Sequence, residues 1–399
     1  MVAYGAAKVG TGIHDWFFNA VAGLFLASYG MPNVAIGFLA NERSFIGSLF
    51  QPAFGALSDR VRTPFGRRRP FMLVATPVVV LGFLILATRP PAWLAVAVFI
   101  LGPLFVGFAE VPYKALLPDV VVPEQRGTVS GINVLMGMAG GLVLLVVALA
   151  FWGERPDLVF LVVAGTFGLG FAVTLASISE PPPPSDGDPE PSLRPWAYVQ
   201  GILEYRDASR YVACYFFFWF GIGGITPFLT RFGNLELGIP EDETFVLLLA
   251  VALATLLFSV PAGWLGDRYG KKRVTAWGLI IFPVFILIGS QVQTREQVLP
   301  ILVLAGIGQA IPSVLAYPLF TELVPARRMG ELTGLSSMTW ALAQPLGATV
   351  LGAVADQTGT LRSVLMGGAL SLLVSWAILQ TVREPSEVPE RLEEGELSP

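Results

Sequence analysis

Gly55-Ala-Leu-Ser-Asp59-Arg60, followed by Gly66-Arg67-Arg68-Arg69, returns 208 positions later as Gly263-Trp-Leu-Gly-Asp267-Arg268, followed by Gly270-Lys271-Lys272-Arg273. A second motif behaves the same way. Gly127-Thr-Val-Ser130-Gly131 recurs 203 positions later as Gly330-Glu-Leu-Thr333-Gly334. Each copy follows a tyrosine, a proline and an acid: Tyr113, Pro118 and Asp119, then Tyr317, Pro318 and Glu322. Two independent motifs at nearly one offset mark an internal duplication. The first motif has readable physics. Its glycine lets helices approach closely, and its aspartate at a helix end can pair with arginines of the next turn or of a neighbouring helix. Such pairs can latch one end of a bundle and release it.

Around these motifs the chain is apolar. Of 399 residues, 54% are hydrophobic and 14% charged, against about a quarter charged in soluble domains. Its outer solvent is therefore expected to be lipid. A bilayer core of ~30 Å takes ~20 apolar residues per helix. That ruler finds twelve spans, near 11–30, 34–57, 70–88, 92–116, 129–152, 157–178, 210–230, 243–264, 273–291, 297–319, 330–353 and 361–381. Runs such as Leu142 to Phe151 do not alternate in polarity, as barrel strands would. The expected fold is all-α, twelve membrane helices in two pseudo-symmetric six-helix bundles. With the N-terminus in the cytoplasm, 18 of the 25 Lys and Arg, Lys8 among them, fall in cytoplasmic segments. Both termini are thus expected in the cytoplasm of a cell whose inner, or plasma, membrane holds the chain. Only Lys8 precedes the first span and no small-residue cleavage site follows, so no removable signal is expected.

Prolines 181–184 lie in the longest non-apolar stretch and cannot continue a helix. The expected organisation is a bundle at 1–178, a cytoplasmic linker at 179–209, a second bundle at 210–382 and an acidic tail at 383–399. One cysteine, Cys214, and one histidine leave neither a disulfide nor a metal-ligand cluster. No metal, cofactor or nucleic acid is expected. No nucleophile–base constellation points to an enzyme, and neither glycine-rich stretch follows a strand to cradle a phosphate.

The signature Gly-x-x-x-Asp-Arg-x-Gly-Arg/Lys-Arg/Lys resembles that of the major facilitator superfamily. The second copy fits it; the first has four extra residues, Arg62-Thr63-Pro64-Phe65. The run Asp59 to Pro70, and Ala115-Leu-Leu-Pro-Asp119, resemble the sucrose-transporter branch and the related glycoside–pentoside–hexuronide cation symporters. That branch carries an arginine where this chain has Lys114. The resemblance implies a transporter working alone, as a monomer, with its solute between the halves near the midplane. Melibiose-type symporters carry an acidic sodium ligand where this chain has Gln51, so the sodium site does not transfer.

Ionisable groups inside a span cost roughly 2.5–3.5 kcal/mol each and are functional candidates. Asp15 and Asn19 share a face of the first span, with Asp15 expected about one turn from the cytoplasm. Asn41, Glu42 and Arg43 fall in the second span, and Glu110 and Lys114 sit i, i+4 in the fourth. A proton-coupled carrier needs an acid whose pKa is raised by burial and reset by a cation. Glu110 beside Lys114 and Glu42 beside Arg43 both answer. The second half is polar without such charges. Its Gln309, Tyr317, Trp340 and Gln344 suit a neutral polyol, though interhelical hydrogen bonding uses the same residue types. With Tyr113, these residues form the expected coupling and solute set. The expected gating set is Gly55, Asp59, Arg60, Gly66, Arg67, Arg68, Gly263, Asp267, Arg268, Gly270, Lys271 and Lys272. The leading expectation is proton-coupled import of a sugar or similar solute. Its rivals are a drug or metabolite exporter, and an assembly or pigment-delivery factor that transports nothing. Drug antiporters usually carry a Gly-Pro signature on helix five, where this chain has Gly137-Met-Ala-Gly140-Gly141.

Overall fold

A backbone amide in hydrocarbon has to be satisfied within its own segment, which favours helices. The structure, a computed structural model, describes residues 2–41, 50, 54, 57, 58, 61, 63–121, 125–178, 206–323 and 329–383; at 2, 118, 119, 126–128, 130, 317, 321 and 329–338 it describes the backbone alone. Fourteen α-helices carry the described chain. They are α1 (Val2–Ala20), α2 (Ala22–Ala27), α3 (Asn33–Leu39), α4 (Arg69–Ala87), α5 (Ala92–Val120), α6 (Arg126–Phe151) and α7 (Pro156–Ser177). Then come α8 (Arg206–Ile225), α9 (Leu229–Leu237), α10 (Phe245–Tyr269), α11 (Lys271–Gln291), α12 (Arg295–Glu322), α13 (Met329–Thr358) and α14 (Arg362–Gln380). Among the described residues the only extended pairing is an isolated bridge, Thr63 to Gly66. Nine helical segments of the described chain are long and apolar enough to cross a membrane.

The first span starts at Val2, not near residue 11. Its Gly- and Ala-rich opening reads weakly apolar, but small side chains let it pack closely on α6 and α7. A Cβ on Gly12 would stand 2.7 Å from Gly137 Cα, and one on Gly10 2.9 Å from Phe167 Cα. Thr174 of α7 enters the α1 ladder, accepting from Ala7 N at 3.0 Å and donating to Ala3 O at 2.8 Å. The second span, expected unbroken over 34–57, stops as α3 at Leu39, with Ala40 as its C-cap.

Contacts divide the chain into two compact units. The first is Met1–Glu190 with Gly223–Leu249 and Gln344–Val364; the second is Pro191–Ile222 with Ala250–Ala343 and Leu365–Pro399. The first has an aromatic centre where α1, α4, α5 and α7 meet. Phe17 is fully buried there, 5.0 Å from the Phe83 ring and 5.4 Å from that of Phe160. Within this unit, the start of α3 is tied to the end of α13. Asp356 accepts from Asn33 N at 2.9 Å, Asn33 Nδ2 at 2.8 Å and Val34 N at 2.8 Å. Asn33 Oδ1 in turn accepts from Arg231 of α9. Glu236 of α9 accepts from Leu361 N at 2.8 Å and Arg362 Nε at 3.2 Å. In the second unit, Cys214 is buried on α8, its Sγ 3.2 Å from Ser375 Oγ of α14. Large apolar side chains face outward, Val260 at 80% exposure and Leu257 at 70%. A soluble surface would not hold so many, and lipid contact accounts for them.

Candidate functional site

Glu110 sits in the sixth turn of α5 and is nearly buried, its side chain 8% exposed. Its Oε1 takes Lys114 Nζ at 3.0 Å, the partner that helical spacing offers, and Lys8 Nζ at 3.3 Å. Lys8 was expected in the cytoplasmic N-terminal segment; it lies in the second turn of α1 because that helix begins earlier. The sequence signal for it was weak: one lysine among alanines and glycines, with its partner 102 residues away. One carboxylate thus links two helices through two cations of unequal burial, Lys8 at 21% and Lys114 at 51%.

Tyr113 is next to this pair but is occupied. Its ring stacks on Tyr4 at 4.6 Å, its hydroxyl donates to Tyr4 O at 2.9 Å, and Tyr4 donates to Tyr113 O at 2.8 Å. This reciprocal clasp fixes α1 against α5 beside Lys8 and Glu110. Asp15, expected one turn from the cytoplasm, is 13 residues into α1, roughly 20 Å at the helical rise. The half-buried Asp15 meets His14 Nδ1 at 3.4 Å, and His14 is buried against the rings of Phe18 and Phe83. Asn19 donates to Asp15 O at 2.9 Å, a bond within its own helix. Asn41 is buried, and its Oδ1 accepts no hydrogen bond among the described residues. Glu42 and Arg43, which follow it, lie outside the described residues.

In the second unit, Gln309 is half-buried on α12. Trp340 of α13 packs at 5.5 Å and 70° against Trp219 of α8. Tyr317 is described by its backbone alone. Gln344 belongs to the first unit, where a Cβ on Gly223 would come within 2.5 Å of its Cα. It is therefore a packing neighbour of α8.

Of the gating residues, Gly55, Asp59 and Arg60 lie outside the described residues. Thr63 to Gly66 form a tight turn: Gly66 N donates to Thr63 O at 3.0 Å and Thr63 Oγ1 to Gly66 O at 2.6 Å. Gly66 has φ +104° and Gly270 φ +90°. Both copies therefore need glycine for the backbone that launches the next helix. Arg67 and Arg68 close the loop that leads into α4, and Arg68 is buried. Arg69 donates to Leu175 O at 2.7 Å, tying that start to the end of α7. In the second copy the close approach falls on Gly266, against Leu315, while a Cβ on Gly263 would meet Val314 at an ordinary 3.8 Å. Lys271 pairs with Glu322 at the end of α12. Arg268 lies over the Trp264 ring at 5.3 Å, and Asp267 is exposed without an ion pair among the described residues.

A family model described as MFS/sugar transport protein matches residues 3–379. The chain belongs to that family. It is 22% identical over 410 residues to the MFS-type transporter YxiO of Bacillus subtilis (strain 168), an alignment covering 98% of this chain and 94% of YxiO. In fold it is similar to a bacterial homologue of the human lysosomal transporter Spinster, solved inward-facing and unoccupied, with TM-score 0.78, 13% identity and coverage of 96% of this chain and 95% of that one. It is also similar to the fucose:proton symporter FucP of E. coli, with TM-score 0.60, 14% identity and coverage of 96% and 97%. The twelve-helix fold read from the spans is the fold of these neighbours. As a member of the family the chain is a multi-pass membrane transporter and not an enzyme.

Proposed function

We propose that this major facilitator chain couples protons to the import of a sugar or similar small polar solute by alternating access. The observation that carries the reading is Glu110, nearly buried and shared between Lys8 of α1 and Lys114 of its own helix. A carboxylate that exchanges a proton during a cycle needs cations that can hold it in one state and leave it in the other. Lys8 meets this need because it sits on a different helix. FucP, a fucose:proton symporter on the same fold, supports the chemistry. Gln309 and Trp340 supply an amide and an indole of the kind a neutral sugar uses. Two bundles at 1–178 and 210–382, joined by the linker at 179–209, would rock about the solute. The Lys and Arg bias supports cytoplasmic termini even with Lys8 moved into α1.

Labelled oligosaccharide uptake into proteoliposomes tests the reading. An inward proton gradient should drive accumulation in the native protein. Glu110→Gln should abolish that drive while solute-for-solute exchange persists. Accumulation indifferent to both the gradient and the substitution would overturn the proposal.

A further inference from the structure

The start of α11 and the end of α14 enclose an open cleft of about 450 Å3 within the second unit. Its lining changes character along one direction. At the mouth stand Lys272 and Arg273, the last cations of the duplicated motif, with the ring of Tyr269 beside them. Among the described residues neither cation meets a carboxylate within ion-pair distance, whereas their neighbour Lys271 is taken by Glu322. One turn on, Trp277 of α11 lines the cleft, and Trp376 lines it from α14. Ile280 follows, seven residues past Arg273 and so roughly 10 Å further along the helix. Arg273, Trp277 and Ile280 are all exposed and share one face of α11.

Cations, then indoles, then an aliphatic side chain reproduce the profile of a bilayer leaflet from headgroup to acyl region. A soluble solute would gain nothing from the outward-facing apolar end. A free phosphate would use only the two cations. Basic pockets between membrane helices suit anionic lipid headgroups. We infer that this cleft binds an anionic phospholipid, its phosphate between Lys272 and Arg273, its glycerol edge against Trp277 and Trp376, and an acyl chain along Ile280. The site is separate from the Glu110 cluster and independent of what the transporter carries.

The test uses the full chain purified in detergent, with bound lipid counted by native mass spectrometry. Phosphatidylglycerol should be retained roughly tenfold more than phosphatidylcholine of the same chains, as two juxtaposed cations warrant. The variant K272Q/R273Q should bring the two lipids level, and K272R/R273K should keep the preference. Brominated-chain phosphatidylglycerol supplies a second measure that does not rest on the charge variants. It should quench tryptophan fluorescence more than the brominated phosphatidylcholine does, and W277F/W376F should remove that excess. Equal retention of both lipids by the native chain, or a preference unchanged in K272Q/R273Q, overturns the proposal. So does displacement of phosphatidylglycerol by inorganic phosphate at equal concentration, since that would mark a soluble-anion site.

Discussion

Lys8 and Tyr113 both sit against Glu110's surroundings, yet the geometry gives them different work. Lys8 holds the carboxylate from α1, so Lys8→Ala should slow gradient-driven uptake roughly tenfold, in line with the ~1.5–3 kcal/mol of a hydrogen bond to a charged group. Lys8→Arg should recover part of it. Tyr113→Phe removes the hydroxyl's bond to Tyr4 O and its longer one, 3.4 Å, to Asn133 Oδ1, neither of which touches Glu110, so uptake should persist while apparent stability falls by about 1 kcal/mol in a thermal melt. Equal transport defects in the two variants would argue that the region is purely structural. The contrast also shows what a sequence can reveal at this scale. The Glu110–Lys114 contact follows from helical spacing alone, because i and i+4 always meet. Lys8 is a partner only through the packing of α1 on α5, which no local pattern encodes, and the clasp that removes Tyr113 from an open cavity is hidden for the same reason.

Elements were legible wherever hydropathy was strong and turn chemistry sharp. Span 70–88 became α4 over Arg69–Ala87, and 273–291 became α11 over Lys271–Gln291. The first span starts earlier than its hydropathy indicates because Gly5, Lys8 and Gly10 dilute it, although the glycines Gly5, Gly10 and Gly12 are what let it sink between α6 and α7. The duplicated glycines were read as packing residues; at Gly66 and Gly270 the governing fact is a positive φ. Gly270→Ala should therefore cost ~1–3 kcal/mol of backbone strain, seen as a lower melting temperature. Gly263→Ala, which meets only an ordinary contact, should melt close to the native protein.

Across the molecule, the repeat was the decisive clue, since a chain duplicated at one offset with twelve greasy spans has few architectures open to it. The contacts that join α3, α9 and α13 had no such signal, as Asn33 and Asp356 are 323 positions apart. In the proposed alternating-access cycle this link parts in one of the two states. Asp356→Ala should accordingly raise amide hydrogen exchange at Asn33 and Val34 at least several-fold, with α7 unchanged as the internal reference. The single thiol carries a practical consequence of its own. Cys214 is sealed between α8 and α14, and no second cysteine exists anywhere in the chain. A maleimide should leave the folded transporter unmodified, so the time course of its reaction becomes a clock for the separation of those two helices, and a label placed anywhere else reads against a silent background.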